Sequence, residues 1–222
     1  MIKVENIEVF GWEASIRGLR NPMNSWEKSD SRWYSIGTPG TNPAADNDRY
    51  LREKYCIGEN DMKLMKNLRK AGTDHRKYLR MINVTMDITA PMYWWSEYDT
   101  YKVGTVANSC SKMHRIHAKE FTLDDFSYEH LDTGWYTCLS ETIIPLLNKA
   151  REKYVETKDK YYWWMLIQLL PASYNQRRTV QLNYEVLLNM YHARKEHKLD
   201  EWREFCKIIE SLPYFKEICL DE

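Results

Sequence analysis

The chain lacks the short patterns that most often mark an enzyme. It has no Gly-rich phosphate loop closing on Lys-Ser or Lys-Thr, no Cys-x-x-Cys pair and no serine set between glycines in a hydrolase elbow. Net charge is absent too, with Lys plus Arg and Asp plus Glu at 32 each. No long-range field draws in a polyanion, which argues against a long nucleic acid, and any anionic ligand must be small and locally held. The longest apolar run, 161–171, is interrupted by Gln168. It is too short for a bilayer, which needs about 20 apolar residues, so no membrane segment is expected. The opening Met1-Ile2-Lys3-Val4-Glu5 carries no apolar leader, and the five cysteines (Cys56, Cys110, Cys138, Cys206, Cys219) are odd in number and widely spaced. Together these predict a reduced, cytoplasmic protein. Repeats and low-complexity tracts are missing, and 222 residues suit one domain, 1–222, around a single core.

Aromatics, by contrast, are abundant, with nine Trp and sixteen Tyr. Rings with a polar tip suit a large core together with a subunit or ligand surface, but their number alone names no function.

Periodicity predicts a strand over 2–10 and a long loop over 32–47, where Gly37-Thr38-Pro39-Gly40-Thr41-Asn42-Pro43 breaks every pattern. A helix is expected over 59–71, stopped by Gly72. Ile82, Val84, Met86 and Ile88 alternate with polar residues before Pro91, which predicts a strand with one buried face. Helices follow over 92–101, 131–155 with Pro145 as a kink, 159–169, 181–194 and 200–210. The fold class is α+β and helix-rich.

Few residues cluster in chemically suggestive ways. Cys110, His114 and His117 are the one group with metal-ligand side chains at helical spacing, but a fourth ligand is missing, and ordinary helix packing is favoured over a metal. Asn108, Ser109 and Ser111 can donate to a phosphate or a base, or can simply cap a turn, and the two readings stand equal. Arg177-Arg178 and Arg194 can pair with a phosphate or sit as solvated charges.

One comparison goes further. Leu169-Leu170-Pro171, Tyr174, and Leu187-Leu188-Asn189-Met190 running to Arg194 and then Trp202 resemble the C-terminal half of the flavin-dependent thymidylate synthases. Leu64 to Gly72 followed by 80–89 is similar to that family's helix and strand before its signature, and Asn108 with Ser111 looks like the signature's later polar pair. The resemblance implies a small, mostly antiparallel sheet flanked by helices. It also implies a homotetramer with FAD and dUMP bound where subunits meet, and chemistry through reduced flavin and a folate methylene donor, with no protein nucleophile. On this comparison the pyrimidine nucleotide falls to Asn108, Ser109, Ser111, Asn183 and Arg194, and cofactor contacts to Lys102 and Asn189.

The family's Arg-His-Arg triplet is replaced by Glu97-Tyr98-Asp99, and Ile167-Gln168 stand where an arginine precedes the Leu-Pro. Two carboxylates would repel a pyrophosphate unless a cation intervenes, and Lys102 restores one positive charge as a point contact only. Three readings therefore stay open. The chain is a thymidylate synthase-like enzyme, or a repurposed nucleotide-binding homo-oligomer without flavin chemistry, as a phage or mobile-element gene could encode. In the third, Arg177-Arg178 and the aromatics form a protein-interaction platform.

Overall fold

The structure, a computed structural model, describes residues 1–36 and 52–220. Strand β1 (Lys3–Phe10) leads to helix α1 (Trp12–Arg20), and β2 (Arg32–Ile36) pairs with β3 (Arg52–Cys56) as a separate antiparallel ribbon. Helix α2 (Glu59–Lys70), strand β4 (Asn83–Pro91), helix α3 (Met92–Tyr98) and strand β5 (Val106–Ser109) follow. A helical section comes next: α4 (Lys112–Arg115), α5 (Thr133–Cys138), α6 (Ile144–Thr157) and α7 (Lys160–Leu169). Strand β6 (Asn175–Asn183) returns the chain to the sheet, and α8 (Tyr184–Arg194), α9 (Asp200–Glu210) and a π-helical turn at Lys216–Leu220 follow.

The main sheet is antiparallel throughout, in the order β1-β4-β6-β5. The class is α+β with a small antiparallel sheet, as the sequence predicts. Strand β4 owes its central place to its two-residue period, since Val84, Met86, Ile88 and Ala90 are buried while Asn83, Thr85, Asp87 and Thr89 face the other side. The looser alternation in β1 has a local cause. The ladder to β4 shifts register between Glu5 and Glu8 around Asn6 at φ 52°, and this bulge leaves Ile7 outward.

Several boundaries differ from expectation. The helix expected over 181–194 starts only at Tyr184, because Gln181, Leu182 and Asn183 finish β6 opposite Thr85, Val84 and Asn83. The helix expected over 131–155 runs as α5, a π turn at Leu139–Ile143, and α6. Pro145 falls in the first turn of α6, where a missing N–H costs little. The helix expected over 92–101 ends at Tyr98. Of the loop expected over 32–47, residues 32–36 form β2 and residues 37–47 lie outside the described residues.

Helices α3, α8 and α9 cover the buried face of the sheet with Trp94, Trp95, Leu187, Leu188, Trp202 and Phe205. A second apolar cluster, with Phe121, Phe126, Leu147 and Leu166, holds the α4–α7 section together. The buried pair Arg20 and Asp61, 2.6 Å apart, ties α1 to α2.

Candidate nucleotide site

The chain leaves β5 under tight control. Cys110 N–H donates to the Arg177 carbonyl at 3.0 Å, and Gln176 Nε2 donates to the Cys110 carbonyl at 2.7 Å. These bonds set Ser111 and Lys112 at the mouth of a cavity of about 320 Å³ between the ends of β4 and β6 and the segment 110–125. Ser111 caps α4 by accepting from His114 N–H at 3.0 Å, which leaves its own proton free to donate.

Four cations line this cavity: Lys112, Arg115, Lys119 and Arg177. Lys119 pairs with Asp125, whose carboxylate is also held by Thr122 N–H at 3.0 Å, and Arg177 pairs with Asp87 at 2.7 Å. Lys112 and Arg115 have no carboxylate partner among the described residues. Ile116, Phe121 and Tyr174 form an apolar wall, and burial, then the nearby Asp125 charge, pushes the Tyr174 phenol up to about 12. Such a pocket can hold a phosphate at its cationic rim and lay a planar base on the aromatic side.

A second constellation lies at the C-terminal end of α8. Arg194 donates to Glu97 at 2.5 Å and through Nε to the Tyr101 hydroxyl at 3.0 Å, with its guanidinium 4.8 Å from the Trp202 ring centroid. His197 Nε2 lies 3.2 Å from the same Glu97 oxygen. Its Nδ1 accepts from Leu199 N–H, so Nε2 is the nitrogen placed to carry a proton towards Glu97. At the other end of the replaced triplet, Asp99 pairs with Arg178 at 2.7 Å, and Arg178 covers the Trp95 ring at 4.1 Å. Glu97 and Asp99 are thus each paired with an arginine.

The residues singled out in the sequence are dispersed. Ser111 lines the cavity, while Asn108 and Ser109 are exposed on edge strand β5 opposite Thr179 and Arg178. Asn183 caps α8, accepting from Val186 N–H at 3.1 Å, and its amide lies close under Gly104 at φ 74°. Lys102 is exposed in the turn between α3 and β5. Asn189 accepts from Arg76 at 3.4 Å, on a different side of α8 from Arg194. Arg177 and Arg178, on β6, are engaged in ion pairs with Asp87 of β4 and with Asp99 at the end of α3. Cys110, His114 and His117 do not share a helix, because α4 covers only Lys112–Arg115, and no metal-binding group forms among the described residues. Nor is any described helix long and apolar enough to cross a membrane.

Sequence reasoning missed Lys112, Arg115 and Lys119. Their spacing of three and four directly after Ser111 was the available signal.

No protein-family model matches the sequence, and no curated protein matches it. Solved structures do. Thymidylate synthase X (ThyX) from Helicobacter pylori with FAD and dUMP superposes at a TM-score of 0.66 with 14% identity, covering 100% of this chain and 98% of that one. A second structure of the same flavin-dependent enzyme, also complexed with FAD and dUMP, gives 0.66 with 15% identity over 99% and 98%. The chain therefore has the fold of the flavin-dependent thymidylate synthases.

Both solved neighbours hold FAD, and the Glu97-Tyr98-Asp99 position tests whether the residues of this chain fit such a group. Glu97 and Asp99 there are carboxylates locked to Arg194 and Arg178, and Tyr98 is only 2% exposed within the aromatic core. This set offers no cation to a pyrophosphate and does not fit the group.

Proposed function

We propose that the chain is a distant member of the flavin-dependent thymidylate synthase family that binds a pyrimidine nucleoside monophosphate of the dUMP type beside Ser111. The supporting observation is the pair of cations without a carboxylate partner among the described residues, Lys112 and Arg115, at the rim of a nucleotide-sized cavity. A phosphate monoester would take charge-assisted bonds from both and from the Ser111 hydroxyl, with the base against Tyr174 and Phe121. Arg194 is not on the wall of this cavity in its own chain, so it would serve the nucleotide only from a second copy, as in the homotetramer that the resemblance implies.

Because the Glu97-Tyr98-Asp99 set does not fit a pyrophosphate, no flavin step is assigned. A nucleotide-binding homo-oligomer without flavin chemistry agrees better with these ion pairs than thymidylate synthesis with a folate donor does. Calorimetric titration with dUMP, together with mass spectrometry of whatever the purified protein releases on denaturation, tests the reading. Bound or titratable pyrimidine nucleotide without flavin supports it. Released FAD would restore the enzymatic reading, and failure to bind dUMP would remove the nucleotide.

A further inference from the structure

Of the four cations on the cavity, Lys112 is the one held half-buried beside it without a hydrogen-bond or ion-pair partner for its Nζ among the described residues. The charged groups around it are mostly cationic. Arg177 and Arg178 come from β6, Arg115 from its own helix and Lys119 from the segment beyond. The nearby carboxylates are committed elsewhere, Asp99 to Arg178, Asp125 to Lys119 and Asp87 to Arg177. Burial first, and then the Arg178 charge, lowers the Lys112 pKa below the ordinary lysine value, with Asp99 only partly opposing.

Next to this amine, Arg115 and Ser111 offer an anion its contacts. We infer that Lys112 is a nucleophilic amine, and that the cavity accepts a phosphorylated aldehyde as a covalent ligand through an imine on Lys112 Nζ. The Nζ lone pair adds to the aldehyde carbon while a proton passes to the carbonyl oxygen, giving a carbinolamine. The hydroxyl then leaves as water and C=N remains, with no change of oxidation state. Arg115 holds the phosphate during both steps and so raises the local concentration of the aldehyde. This goes beyond nucleotide binding, since the reactivity depends on Lys112 and Arg115 and not on a base.

The full chain is treated with limiting pyridoxal 5′-phosphate at neutral pH, the imine is reduced with borohydride, and the modified peptides are mapped by mass spectrometry. Hydride adds to the imine carbon and leaves a stable secondary amine. Lys112 is expected to carry most of the label, several-fold ahead of exposed Lys102. Arg115→Ala should cut labelling of Lys112 by roughly tenfold, while labelling by pyridoxal, which lacks the phosphate, stays unchanged in that variant. Label spread over surface lysines in proportion to exposure would overturn the inference. Equal loss with both probes in Arg115→Ala would overturn the phosphate part of it.

Discussion

Glu97 Oε2 lies 2.5 Å from Arg194 Nη1, so the guanidinium that the family resemblance gives to the nucleotide already holds an internal carboxylate. The pair is only partly screened, at 31% and 18% side-chain exposure, and the guanidinium packs on Trp202 and Tyr101. An external phosphate must compete with Glu97 for it.

Two substitutions read that competition. Glu97→Gln should tighten dUMP binding by about 0.5–1 kcal/mol, the range of a partly exposed ion pair. Arg194→Ala should weaken it by about 1.5–3 kcal/mol. Calorimetric titration measures both, and an unchanged affinity in the two variants would detach Arg194 from the nucleotide.

How far the sequence disclosed this arrangement depends on where each charge points. Strand β4 was legible because Val84, Met86 and Ile88 all face inward without interruption. Strand β6 was not, because Arg178 occupies an inward position of the same period, made tolerable by the Trp95 ring and Asp99. Helix α1 was hidden for a similar reason, since its buried stripe ends in Arg20. Ser111 could be read as a polar residue opening a helix, whereas the pairing that spares Lys112 and Arg115 exists only in three dimensions.

Arg20 and Asp61 are 4% and 0% exposed, and Asp61 also accepts from Ser29, Ser31 and two backbone N–H groups. Burial alone would raise its pKa, but the bonds from Ser31, Ser29 and Arg20 outweigh it and hold the carboxyl below the usual range. Its folded-state pKa is depressed, so its contribution is present above the unfolded value of about 4 and is lost as pH falls through the folded value. Arg20→Met should cost about 3–5 kcal/mol at neutral pH, as expected for one partner of a buried pair. Asp61→Asn should flatten the part of the acid unfolding limb that this carboxylate supplies. Urea titrations from pH 7 to pH 3 measure both effects.

Gly11 joins β1 to α1 at φ 93°, and a Cβ there would lie 2.1 Å from the Met81 carbonyl oxygen. Gly11→Ala should therefore cost at least about 1–3 kcal/mol, from backbone strain before any clash is counted. A thermal melt of the variant checks this. An unchanged Tm would mean that the turn relaxes freely.

Helix α7 buries only Leu166 of its ten residues, with Tyr161 at 61% and Trp164 at 45% exposure. A homo-oligomer covering this helix is the expected outcome, since large exposed apolar side chains gathered on one helix mark an interaction surface. Light scattering at micromolar concentration should give a multiple of the chain mass, and Trp164→Glu should shift it towards the monomer. A wild-type monomer would remove the second copy from the nucleotide reading.

In the sheet, Val84 is flanked by Val9 from the start of the chain and Leu182 from near its end. On a ribosome, β4 therefore emerges with one partner available and waits, with an open edge, for β6 and its neighbour α8 to be synthesised. The helical section between them can settle from local contacts alone, so the sheet should be the late and slow event in folding. That interval is when an unpaired β4 is most open to pairing with another nascent chain.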